Sequence, residues 1–156
     1  MLRISKLTDY AIVVTAAMAV DLERIFSAAD LAAETHLEVP TVAKVLKVLA
    51  RSDLVTSFRG ANGGYQLARA ATEITVADLI TAMEGPIGMT QCSVHEGLCS
   101  TEAVCALRGH WQQISRAVHA ALSEMTLHDM ARPLAASAHP QEIKISPRDT
   151  AVTEQR

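Results

Sequence analysis

Residues 40–67 read Pro-Thr-Val-Ala-Lys-Val-Leu-Lys-Val-Leu-Ala-Arg-Ser-Asp-Leu-Val-Thr-Ser-Phe-Arg-Gly-Ala-Asn-Gly-Gly-Tyr-Gln-Leu. The first half keeps a helical period, with Val42, Val45, Leu46 and Leu49 on one face and Pro40 suited to a first turn. The second half changes period. Leu54–Arg59 reads as a strand, Gly60–Gly64 as a turn and Tyr65–Leu67 as the returning strand. Upstream, Ser27-Ala28-Ala29-Asp30 has the reciprocal capping pattern and starts another short helix, broken over Thr35–Val39. Two short helices separated by a tight break, then a hairpin, predict a mainly α fold: a winged helix-turn-helix.

Before this core, a helix is expected over Thr8–Val20, capped by Ser5 or Thr8, with Ile4, Leu7, Ala11, Val14 and Met18 on one face. The same stretch has leader-like features: Arg3, Lys6, an apolar run and Ala17-Met18-Ala19. Asp9 and the helical period argue for a globular helix instead. No apolar run reaches the ~20 residues of a membrane span, so the expected location is the cytoplasm.

Beyond the hairpin, Thr75-Val76-Ala77-Asp78 caps a fourth helix ending near Gly85-Pro86. Residues 86–101 look irregular. A long helix is expected over Thr101–Met125, where Val104, Leu107, Trp111, Ile114, Val118, Ala121 and Met125 step alternately by three and four. Such a seam suits a helix pairing with its own copy in a homodimer; alternatively it packs on the first helix of the same chain. Thr126-Leu127-His128-Asp129 caps one more short helix before Pro133. The expected organisation is thus a DNA-binding domain over 1–85, a cysteine-bearing loop over 86–101, a dimerisation helix with a short terminal helix over 102–133, and a disordered tail over 134–156.

The chain of 156 residues is 49% hydrophobic with a net charge of −3, which by itself gives no hint of a nucleic-acid partner. The total hides a split. Residues 39–69 hold Lys44, Lys47, Arg51, Arg59 and Arg69 against Asp53 alone, a local +4 that leaves −7 for the rest. Thr41, Lys44, Lys47 and Arg51 lie opposite the apolar face of the third helix, where they can meet phosphates and base edges in a major groove. Arg59, beside Gly60 at the hairpin tip, suits a narrow and electronegative minor groove. Double-stranded DNA is the expected partner.

All three cysteines, Cys92, Cys99 and Cys105, fall within one 14-residue window. Inert buried thiols, a zinc site completed by His95 or His110, reversible redox thiols and an iron–sulfur cluster all fit that spacing. The chain has no Cys-x-x-Cys, no glycine-rich phosphate loop and no recognisable nucleophile triad, so an enzyme is not expected.

Taken together, the opening Met1-Leu2-Arg3-Ile4-Ser5-Lys6-Leu7-Thr8-Asp9-Tyr10-Ala11, the wing Val55–Leu67 with its Arg-Gly-x-x-Gly-Gly-Tyr, and the three cysteines resemble the iron–sulfur-cluster-regulator (IscR-type) transcription factors. Within that family the chain looks most similar to regulators of the SUF iron–sulfur assembly system. The resemblance covers about residues 1–133. It implies a homodimeric repressor on a palindromic operator, with a cluster ligated by Cys92, Cys99 and Cys105. Some family members use as fourth ligand a His three residues after the last cysteine; here that residue is Arg108, which stays protonated and cannot ligate iron. The nitric-oxide-sensing branch uses instead an Asp of the first helix, donated by the partner subunit. That position matches Asp9, with His110 in reserve, and the Asp-ligated branch favours a 4Fe–4S over a 2Fe–2S cluster. The rival reading is a winged-helix DNA-binding regulator that senses through zinc or reactive thiols.

Overall fold

Helix starts in this chain are written by reciprocal caps. The Ser27 hydroxyl accepts from the Asp30 N–H at 3.1 Å while the Asp30 carboxylate accepts from the Ser27 N–H at 3.0 Å. Thr75 with Asp78, and Thr126 with Asp129, repeat the arrangement. Each pair satisfies N–H groups that would otherwise end the helix unpaired.

The computed structural model describes residues 3–95, 97 and 99–132; the tail expected over 134–156 lies outside them. Along the chain run α1 (Lys6–Met18), α2 (Ala28–Thr35), α3 (Val39–Arg51), β1 (Val55–Phe58), β2 (Gly64–Leu67), α4 (Val76–Glu84), α5 (Gln91–Val94), a 3-10 turn (Glu102–Val104), α6 (Arg108–Glu124) and α7 (Leu127–Ala131). The fold is the expected mainly α winged helix. Val14, Leu31, Val42, Val45, Leu46, Leu49, Ile74 and Leu79 are fully buried where α1, α2, α3 and α4 meet. Leu127 of α7 joins this core, also fully buried, because the Leu127 N–H donates to the Ile74 carbonyl at 2.7 Å and seats α7 against α1.

The hairpin β1–β2 is antiparallel, with Val55 opposite Leu67 and Phe58 opposite Gly64. A third short segment braces it: Phe26 and Tyr65 exchange backbone hydrogen bonds of 2.9 and 2.8 Å. A Cβ on Gly64 would run into the Phe26 carbonyl oxygen, so this close approach requires glycine.

One expectation fails at the carboxyl end. The helix predicted over 101–125 is interrupted: Cys105 is extended and α6 begins only at Arg108. Two carboxylate contacts account for the break. Glu102 pairs with Arg108 at 2.9 Å, whereas residues six apart on a continuous α-helix lie about 120° apart around the axis and about 9 Å apart along it. Glu102 also accepts the Gly97 N–H at 2.7 Å, drawing the preceding loop to the same side chain. Val104 and Leu107 therefore stand before the helix, and the seam within α6 starts at Trp111. Residues 86–101, expected to be irregular, contain the single turn of α5.

Among the described residues, α1 packs on α2, α3, α4 and α7 rather than on the seam. α6 leans on α4 and α5, with Leu122 against the core and Ser115 buried, its hydroxyl accepting from the Met89 N–H at 3.0 Å. Trp111, Ile114 and Met125 stay on the outer side, Ile114 being 43% exposed.

Candidate DNA interface and thiol loop

α3, the candidate reading helix, is placed by its buried face. With Val42, Val45, Leu46 and Leu49 all fully buried, Lys44, Lys47 and Arg51 must emerge on the opposite side, and all three are exposed; Thr41 is half-buried beside them. α2 leads into α3 through His36, which takes a left-handed conformation at φ 56° and turns the chain sharply. Pro40 sits in the first turn of α3, as its spacing predicts.

The wing places Arg59 just past the end of β1, exposed, beside Gly60 at φ 113°. Any side chain at Gly60 would be strained, so the tip conformation is tied to that glycine. Among the described residues, none of Lys44, Lys47, Arg51 and Arg59 is engaged in an ion pair. Their charge is thus left for an outside anion, the condition for phosphate contacts. By contrast Arg24 is spent internally, on Glu34 at 2.9 Å and over the Phe26 ring at 4.3 Å.

The three thiols are carried by different local structures. Cys92 lies buried in α5, its Sγ 3.3 Å from the Thr90 hydroxyl. Cys99 is half-buried in the loop, with the Thr101 hydroxyl 3.3 Å from its Sγ. Cys105 is the extended residue between the 3-10 turn and α6. All three are free thiols. The Thr101 side chain, and then its backbone, hold the Cys99 thiol below its ordinary pKa; slight desolvation and the nearby Glu102 oppose this. Among the described residues, no three His, Cys, Asp or Glu side chains gather round one point as a mononuclear metal centre would need.

Asp9 is exposed in the first turn of α1, without an ion pair to Arg3 or Lys6 among the described residues. His110 is exposed near the start of α6. Arg108, at the position of the histidine ligand in part of the resembling family, is the half-buried partner of Glu102.

Three acidic residues escape sequence reasoning. Glu84, at the end of α4, accepts from the Ser5 N–H at 2.7 Å and the Thr8 hydroxyl at 2.6 Å, clamping the start of α1. Glu102 anchors the thiol loop as described. Glu38, the N-cap of α3, makes no side-chain capping bond. The first two act across the fold or against helical spacing, so periodicity carries no trace of them. The signal for Glu38 is present: a non-capping residue at the head of the reading helix.

Residues 4–133 match the model of the Rrf2 family, described as an iron-dependent transcriptional regulator. The chain is 34% identical over 110 residues to protein rrf2 of Nitratidesulfovibrio vulgaris, covering 70% of this chain and 73% of that one. The structure of CymR, the global cysteine regulator of B. subtilis, superposes with a TM-score of 0.65 at 32% identity, over 84% of this chain and 97% of that one. That of T. potens IscR superposes with a TM-score of 0.59 at 29% identity, over 83% and 85%. These are transcription regulators, not enzymes. With a family match spanning nearly all the described residues and the same winged architecture, this chain belongs to the Rrf2 family of transcriptional regulators.

Proposed function

We propose that the chain is a homodimeric, iron–sulfur-cluster-dependent repressor of cluster-assembly genes that binds a palindromic operator. The observation that carries this reading is the joining of two features in one short chain. A winged helix presents unpaired cations, and three free thiols lie in the segment 92–105 that leads into α6, whose seam residues Trp111, Ile114 and Met125 are exposed. Thr41, Lys44, Lys47 and Arg51 face the major groove, and Arg59 with Gly60 faces the minor groove. The seam Trp111–Ile114–Val118–Ala121–Met125 meets its copy in the dimer, setting the spacing of the two reading helices.

Cys92, Cys99 and Cys105 would hold the cluster, with Asp9 of the partner subunit as fourth ligand. The donor chemistry fits, since soft thiolates suit iron–sulfur ligation. A polynuclear cluster spreads its ligands over several irons, so it can take thiols from separate segments. When bound, the cluster supplies a junction that iron shortage or oxidation breaks. Asp9 lies on α1, which packs behind α3, and the thiols lead into α6. A tie between them links the dimer helix to the reading head. Operator affinity then differs between the two states by their difference in interaction energy.

Anaerobic purification with iron and sulfide analysis tests this reading. Brown protein whose visible absorption is lost in Cys99→Ala and weakened in Asp9→Ala is expected, with tighter operator binding by the loaded dimer at fixed salt. Equal binding by loaded and stripped dimers overturns it. The lowered pKa of Cys99 favours a second reading, a bare thiol sensor, because the thiolate is the oxidisable form. Colourless protein whose DNA affinity changes on mild oxidation supports that reading, and colourless protein containing zinc supports a zinc-based sensor.

A further inference from the structure

Four of the six longer helices begin on a side chain that accepts a hydrogen bond from the first turn: Ser5 for α1, Ser27 for α2, Thr75 for α4 and Thr126 for α7; α6, headed by Leu107, and α3 do not. The reading helix departs from this. Its N-cap is Glu38, a residue type outside the favoured caps, whose carboxylate accepts nothing from the first turn. Glu38 is exposed and, among the described residues, engaged in no side-chain hydrogen bond or ion pair. The next residue, Val39, is an apolar side chain left 46% exposed.

Resting on the DNA-binding reading above, we infer that Glu38 is a specificity-determining residue, its carboxylate accepting a hydrogen bond from the N4 amino group of a cytosine in each operator half-site. In a helix-turn-helix, the first residues of the second helix approach the base edges, while the cations further along meet phosphates. A carboxylate is repelled by phosphate and by the N7 and O6 acceptors of guanine. Adenine offers an N6 donor, but beside its N7 acceptor. Cytosine presents the N4 donor with no acceptor of its own in the major groove, so it is the base edge that suits an acceptor-only side chain. Exposed Val39, in the same turn, suits the C5-methyl group of a neighbouring thymine.

The test is selection from a random-sequence duplex pool at one fixed salt concentration, using the anaerobically purified full chain and its Glu38→Gln and Glu38→Ser variants. For the wild type, one cytosine per half-site is expected to be enriched, and replacing it should weaken binding about 5- to 150-fold, the usual cost of one mismatched base pair. Glu38→Gln should move the preference at that position to adenine, whose N6 and N7 match a carboxamide. Glu38→Ser supplies a favoured cap, so the fold should be at least as stable while the cytosine preference disappears. The slope of affinity against salt should be the same for all three, because no phosphate contact changes. Identical motifs from all three proteins overturn the inference. A higher melting temperature in Glu38→Ser with an unchanged motif does too, assigning Glu38 to the helix end alone. A wild-type pool with no enriched sequence overturns the DNA-binding reading itself, and the inference with it.

Discussion

The two halves of the molecule are held by different forces. From α1 to α4 the chain closes on itself: fully buried aliphatic side chains fix the reading helix, and glycines with the Phe26–Tyr65 exchange fix the wing. From residue 86 onward, polar anchors dominate. Glu102 holds Gly97 and Arg108, Ser115 holds Met89, and Thr90 and Thr101 hold Cys92 and Cys99, while Trp111, Ile114 and Met125 stay outside. The first half is closed by aliphatic packing, to which the second contributes Leu127 and Leu122. The second leaves apolar surface exposed and the Cys99 and Cys105 thiols half-buried, as the proposed pairing with a partner copy and the proposed cluster would require.

The largest effect expected from a single change falls in the first half. Leu46→Ala empties a fully buried position between α3 and its neighbours and should cost about 3–5 kcal/mol in denaturant unfolding. A loss below 1 kcal/mol would mean the core is loosely packed and the contrast between the halves is false. Next comes Ile114→Asp, placing a charge on the outer seam of α6. If that seam pairs with its copy, sedimentation should show monomers, with a cost to association of about 2 kcal/mol or more. The fold of each chain should survive, since the site is exposed within one chain. Unfolding as severe as that of Leu46→Ala would place the seam inside a single chain and erase the distinction.

Glu102→Ala probes the polar anchoring of the second half. It leaves Arg108 without the 2.9 Å contact and Gly97 without its acceptor. Breaking a fully buried pair costs several kcal/mol, but Arg108 is one-third exposed and partly screened, so about 1–3 kcal/mol is expected. The loop should loosen more than the core. Alkylation of Cys99 and Cys105 in the cluster-free protein should accelerate, with hydrogen exchange in α1–α4 unchanged. Unchanged alkylation rates would show that Glu102 does not brace the loop.

The same contrast governs what the amino-acid sequence reveals. Caps, turn glycines and the aliphatic face of α3 lie within a few residues of one another, so the winged head is legible down to Ser27–Asp30 and the start of the hairpin. The +4 segment is legible too, once it is separated from the acidic remainder. The break at Cys105 is not, because Val104 and Leu107 continue the three-and-four spacing while the Glu102–Arg108 contact that ends it obeys no helical period. The Phe26–Tyr65 bridge and the Glu84 clamp join segments tens of residues apart, and only the folded chain brings them together. For the site, residue types and their clustering point to the DNA face and the thiol set. How the thiols are spaced depends on α5 and Glu102, which periodicity misses.

Glu84 offers the smallest test, and it probes a seam of the first half that relies on polar contacts. Its carboxylate is held below its ordinary value of 4.5, chiefly by the Thr8 hydroxyl and then by the Ser5 N–H, against a minor desolvation penalty. A carboxyl group whose pKa is depressed in the folded state adds stability above its unfolded pKa, and that contribution fades as pH falls through the folded value. Glu84→Gln keeps an acceptor but loses the charge that strengthens both bonds. The wild type should therefore be slightly more stable than Glu84→Gln at pH 7, and the gap should close below pH 4.5 as Glu84 takes up its proton. Because Glu84 is exposed, the gap at neutral pH should be well below that of Glu102→Ala. Urea midpoints of both proteins across this range measure it directly. A gap that persists undiminished in acid would mean the substitution acts through packing at the α1–α4 junction, giving this junction the same aliphatic basis as the rest of the core.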